Sequence, residues 1–144
     1  MSDCGFCVSS GDCDGDGQYF GSKLVRSRSL RHCEECGKPI PKGELSVYHR
    51  GKGDNGMWQA YVCPVCNEIA ETFTCDGGWI FGSFWDSFDE NISAVNLACF
   101  ERLSSPEAKA EIQRRWIEWK FSSWTMRKAR ERVAAILERA RKAA

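Results

Sequence analysis

At 144 residues the chain fits one domain with an appendage or two small ones, and it is too short for two large cores. Lys and Arg number 20 and Asp and Glu number 20, a formal net charge of +0, so overall charge points to neither nucleic acid nor membrane. The distribution is more telling: residues 67–101 carry seven acids and no Lys or Arg, whereas residues 104–144 carry eleven bases against five acids.

Residues 1–32 read as a polar arm, with Gly5, Gly11, Gly15, Gly17 and Gly21 scattered among Ser and Asp. Such a segment buries too little apolar surface to fold alone, and Cys4, Cys7 and Cys13 are its means of attachment. Its start, Met1 to Cys7, lacks the basic residues and apolar run of a secretory signal, and no stretch of about 18 apolar residues occurs anywhere. Nine cysteines is an odd number, so a cytoplasmic, reducing setting with thiols on metal is expected rather than a disulfide framework, and no membrane partner is expected. Asp12, Asp14, Asp16 and Gly17 match the opening of a calcium loop, but Lys23 stands where the closing glutamate belongs.

A second region, 33–103, begins with Cys33-x-x-Cys36 and contains Cys63-x-x-Cys66. Two such turns supply four thiolates at about 2.3 Å from one zinc and leave no coordination position open, which builds structure rather than catalysis. Gly37 follows the second cysteine where the backbone must turn back. Residues 44–49 and 57–62 are rich enough in Val, Tyr and Trp to pair as strands, with 51–56 as their turn. Pro64 then suits the first turn of a helix. Knuckle, hairpin and a helix that donates the second ligand pair make a zinc treble clef, in an α+β chain.

The stretch Cys33-Glu-Glu-Cys36-Gly-Lys-Pro-Ile-Pro-Lys-Gly-Glu44, with Gly56-Met-Trp-Gln-Ala-Tyr-Val-Cys63-Pro-Val-Cys66, resembles small zinc-finger proteins encoded by tailed bacteriophages. The likeness extends through Cys75-Asp-Gly-Gly-Trp79 to Arg114-Arg-Trp-Ile-Glu-Trp-Lys120. It implies a phage origin, a zinc fold and action in the host bacterial cytoplasm. No reaction comes with it, and a non-enzymatic protein is expected.

Downstream, Ile80, Phe81, Phe84, Trp85 and Phe88 share one face of a helix within 79–90 and form core, or in part a partner surface. The third region, 104–144, opens on Ser104-Ser105-Pro106-Glu107, a helix start, and no Gly or Pro interrupts residues 107–144. Ile112, Trp119, Met126, Val133 and Ala140 repeat every seven residues, flanked by Trp116, Ala129, Ile136 and Leu137. Unbroken to Lys142 this helix reaches about 55 Å. Residues 121–125 are its poorest helix formers and its expected bend. The half beyond Trp124 either covers the domain's own core or pairs with another chain, a second copy included.

Function is read as binding. Docking on a host protein of the transcription, replication or antiviral-defence machinery, inhibition among its forms, would use Trp116, Trp119, Trp124, Arg127 and Arg130. Nucleic-acid binding is the alternative, through Arg26, Arg28, Arg31, Arg50 and Lys52 with Tyr48 and Trp58 stacking on bases; the acidic 67–101 segment weighs against it. A second zinc on Cys4, Cys7, Cys75 and Cys99 would anchor the arm, the other reading being that Cys75 and Cys99 are small buried apolar groups. A degenerate HNH-type nuclease is a further alternative, from His49, Asn55 and Cys63-x-x-Cys66-Asn67. Only His32 and His49 exist for it, and His49 is expected on a strand surface.

Overall fold

The computed structural model describes residues 4–8, 18–74 and 81–143, side chains 123–125 excepted. It is a mixed helix and sheet protein that divides into two compact units, residues 1–109 and 110–144. The calcium-like loop, Cys13, Cys75 and Ile80 lie outside the described residues.

In the first unit, β1 (Gln18–Arg26), β4 (Leu45–Gly53) and β5 (Gly56–Val62) form an antiparallel sheet in the order β1-β4-β5. The hairpin is longer than 44–49 and 57–62 imply: Gly53 pairs with Gly56, which leaves Asp54 and Asn55 as the turn. Gly56 sits at φ +102, a conformation that favours glycine. A Cβ at Gly51 would collide with the indole of Trp58 and the carbonyl of Gln18, so this glycine lets the ring lie flat on the sheet.

The 1–32 arm is not a separate segment. β1 pairs with β4 along most of its length, and β2 (Arg31–His32) pairs with β3 (Pro39–Ile40) beside the first cysteine pair. Phe6 and Val8 are buried, Phe6 with its ring edge-on to Phe73 and Phe88 at 5.4 and 5.0 Å. Most β1 side chains are exposed, so the strand carries no apolar alternation; backbone bonding to β4 is what orders it.

α1 (Pro64–Phe73) begins immediately after Cys63, with Pro64 in its first turn. It buries Cys66, Asn67, Ile69, Ala70 and Phe73. α2 (Phe84–Glu90) buries Phe84, Trp85 and Phe88, so this aromatic stripe is core, and Phe81 precedes the helix in a turn. A 3-10 turn at Ile92–Ala94 and α3 (Leu97–Glu101) come next, α3 being capped by Asn96, whose side chain accepts from the Cys99 amide.

α4 (Pro106–Ala143) opens in the first unit and forms the whole of the second, without a break in the helix at 121–125. Its start is held from α1. The Glu68 carboxylate accepts from the Ser104 and Ser105 amides at 2.8 and 3.0 Å and from the Ser105 hydroxyl at 2.5 Å, while that hydroxyl also accepts from the Ala108 amide. Burial would raise the Glu68 carboxyl, but these donors outweigh it and hold it below the usual range. Farther along, Ile117, Phe121, Met126, Val133, Ile136 and Leu137 are all at least 50% exposed.

Candidate metal centre

Sequence brings Cys33 and Cys36 onto one tight turn, closed by the Gly37 amide donating to the Cys33 carbonyl, with Gly37 at φ +73. The Cys33 amide donates to the Lys38 carbonyl, and β2 and β3 continue from this turn. Cys63 and Cys66 arrive on the first turn of α1, 30 residues away in sequence from the first thiol. Their sulfurs and those of Cys33 and Cys36 lie within 4.8 Å of one another. Cys36 Sγ and Cys63 Sγ are 3.9 Å apart, against about 3.8 Å for the edge of a tetrahedron with zinc–sulfur bonds of about 2.3 Å.

All four thiols are free, with Cys33 and Cys66 buried and Cys36 and Cys63 half-buried. Bonds from the Cys63 and Cys66 thiols, with the Cys36 and Cys63 amides, drive Cys33 far below the ordinary thiol range. Bonding to Cys33 in turn pushes Cys63 up to about 12, and Cys66 higher still. Four thiols this close resist common ionisation until a divalent cation compensates it, which is the chemistry of a structural zinc donor set. The residues present fit zinc.

Donors surround the sulfurs. The Cys36 and Cys63 amides point at Cys33 Sγ at 3.5 and 3.3 Å, and the Trp85 indole N–H donates to Cys66 Sγ at 3.4 Å. From the knuckle, Glu35 accepts from the Gly82 and Phe84 amides at 2.8 and 3.1 Å. α2 is therefore tied to the metal site twice, through Trp85 and Glu35. Neither residue is legible as part of the site from spacing, because both depend on a helix packed against the knuckle and α1 from well downstream in the chain.

The second-metal expectation gives way to a covalent bond. Cys4 and Cys99 form a disulfide with Cα atoms 4.9 Å apart, and Cys7 is disulfide-bonded as well. Sulfurs joined this way are not thiolate ligands, so for Cys4, Cys7 and Cys99 the expectation of thiols on metal rather than disulfides is corrected. Cys99 is fully buried, and Arg102, beside Cys4 Sγ at 3.7 Å, also donates to the Thr72 carbonyl.

His49 is not a surface residue. It is 1% exposed, its Nε2 lies 2.7 Å from the Asn67 side-chain oxygen, and its Nδ1 lies 3.0 Å from the Tyr19 hydroxyl. Phe81 packs on the ring at 4.8 Å. Burial pulls the imidazole below its ordinary 6.5, against the Asn67 bond and the Glu71 charge. The ring pins β1, β4 and α1 together.

The basic residues separate into groups. Arg50 and Lys52 share a face of β4 with Tyr48, and the Arg31 guanidinium carbon lies over the Tyr61 ring at 4.6 Å from its centre. Arg26 is paired with Leu45, out of phase with Tyr48, and donates to the Gly43 carbonyl; Arg28 lies in the bend beyond it. Trp58 is on the opposite face from Tyr48, stacked with Tyr19 at 6.3 Å, so the two do not form one stacking surface. On α4, Trp116 and Trp119 are half-buried and Arg127 and Arg130 exposed, while the Trp124 side chain lies outside the described residues.

No protein-family profile, curated protein or solved structure matches the chain. Among the described residues no helix is long and apolar enough to cross a membrane.

Proposed function

We propose that this is a zinc-ordered binding protein, phage-encoded as its likeness to phage finger proteins suggests, which docks α4 in an apolar groove with acidic rims on a host protein. The zinc module is read as a treble clef: the Cys33–Lys38 knuckle, the β4–β5 hairpin, and α1 delivering Cys63 and Cys66. A closed four-thiolate shell leaves zinc no position for substrate, which supports scaffold over catalyst. The engagement of both His49 nitrogens supports the same reading against a nuclease.

The observation that carries docking is the second half of α4. Met126, Val133, Ile136 and Leu137 are 55 to 63% exposed along one stripe. At 100° per residue, Arg130 and Arg141 border this stripe on one side and Arg132 and Arg139 on the other, while Glu131 and Glu138 fall on the far face. Glu138 there pairs with Arg141 and Lys142, at 3.9 and 3.8 Å. Self-pairing would set arginine rows against each other, whereas an apolar groove with acidic rims satisfies both features. An isolated helix of this kind gains its stability from such a partner.

The test is photo-crosslinking from position 133 in cells expressing the full chain, followed by the same capture with Val133→Asp and Ile136→Asp together. The reading requires a discrete bacterial partner that the double variant loses while zinc content and melting temperature stay unchanged, since both positions are exposed. Capture that survives the double variant refutes it, and so does a crosslink solely to a second copy.

A further inference from the structure

We infer that the outer face of the β1-β4-β5 sheet is a binding platform for single-stranded nucleic acid, a site independent of the α4 stripe. The three strands carry no acid among the described residues, in a chain whose acids equal its bases, and place Lys23, Arg50 and Lys52 on this one face. Register puts Lys23 opposite Tyr48 and Tyr48 opposite Tyr61, so these side chains share a face with Arg50, Lys52 and Gln59. The tyrosine rings lie 5.2 Å apart. Lys23 sits over Tyr48 at 5.9 Å and Arg31 over Tyr61 at 4.6 Å.

Beside them the sheet opens a recess of about 210 Å³ lined by Phe20, Gly21, Ser22, Lys23, Tyr48 and Arg50. It exists because β1 is irregular between Tyr19 and Gly21, which releases Phe20 from the ladder and leaves it 41% exposed. Gly21 holds φ +122 there, which disfavours a side chain at this position.

A planar base entering between Phe20 and Tyr48 would be held by stacking, with Lys23 and Arg50 at the rim to receive its phosphates. The Arg31 guanidinium, already over the Tyr61 ring, extends the stacking surface to a following base, and Lys52 continues the row of cations. Duplex nucleic acid hides base faces, whereas a single strand presents them. A peptide of acidic residues such as polyglutamate would use the cations but has no aromatic ring to stack in the recess. The acidic residues of α1 do not spoil this face, because α1 packs behind β4, where Asn67 meets His49, and alternation puts His49 opposite in direction to Tyr48.

Fluorescence polarisation of a labelled thymidine oligomer of about 12 nucleotides, titrated with the full chain from about 50 to about 200 mM salt, tests the inference. Saturable binding is expected, weaker for the matching duplex, with log K falling by about 2 per log unit of salt if Lys23, Arg50 and Lys52 each engage a phosphate. Tyr48→Ala should weaken it about fivefold or more, and Tyr48→Phe should retain it because the ring remains. Arg50→Gln, at an exposed position, should flatten the salt slope by about 0.7. Zinc content and circular dichroism confirm that each variant is folded. Four results each overturn the inference: no saturable binding at the lowest salt, equal loss in Tyr48→Phe and Tyr48→Ala, loss confined to Arg132→Gln and Arg139→Gln on α4, or displacement by polyglutamate as readily as by unlabelled oligomer. Failure here leaves the α4 crosslink untouched, and the reverse also holds.

Discussion

Removing the metal should unfold the region from Cys33 to Thr74. A structural zinc on cysteine ligands contributes about 10–16 kcal/mol of apparent free energy at pH 7, as much as or more than the roughly 5–15 kcal/mol net stability of an ordinary domain. Here the dependence is concentrated. β2 and β3 are two residues each, the knuckle is closed by two backbone bonds at Cys33 and Gly37, and α2 is tied through Glu35 and Trp85 to that same knuckle and to Cys66. Without a cation, four thiols within 4.8 Å of one another must stay largely protonated, which leaves only weak sulfur contacts between the knuckle and the start of α1. The purified chain should contain one zinc, and cobalt substitution should give the spectrum of a tetrahedral thiolate site. A strong chelator should abolish the near-ultraviolet circular dichroism to which buried Trp85 contributes and open residues 33–74 to protease. Because binding expels thiol protons, the affinity should also fall with falling pH. Metal-free protein that keeps its near-ultraviolet signal and protease resistance would refute the reasoning.

Glu68→Ala removes the acceptor of three hydrogen bonds at the head of α4 and should cost about 1–3 kcal/mol in chemical denaturation, with Glu68→Gln losing less. His49 is depressed below 6.5, so it contributes stability that is complete above that pH and declines as pH falls from 6.5 toward the folded value. The pH dependence of unfolding should therefore be shallower in His49→Gln than in the parent, and identical slopes would exclude a buried neutral imidazole. Cys4→Ser opens a loop spanning 95 residues of sequence and should lower stability by about 2–4 kcal/mol without releasing zinc, as calorimetry with metal analysis will show.

The four clustered cysteines were legible as a candidate zinc donor set because two Cys-x-x-Cys turns have few other uses, and turn geometry is local. The hairpin and α1 were legible for the same reason: alternation, the glycine cluster and Pro64 act on neighbouring residues. So was α4, whose uninterrupted periodicity continues through 121–125. Residues 18–26 were not, because their order comes from bonding to β4 rather than from an apolar pattern of their own. Cys4 and Cys99 have no spacing that distinguishes a ligand pair from a disulfide, and their pairing depends on Phe6 and Val8 entering the core.

Sequence alone thus determined the donor set, the element types that carry it and the amphipathic character of α4, since each depends on residues within a few positions of one another. Tertiary structure decided what each polar group meets: His49 buried on Asn67, Glu35 and Glu68 capping helices from distant elements, Trp58 turned away from Tyr48. The contacts of His49, Glu35 and Glu68 run across 18 to 49 residues of chain, set by how the sheet and helices pack, and no local pattern encodes them.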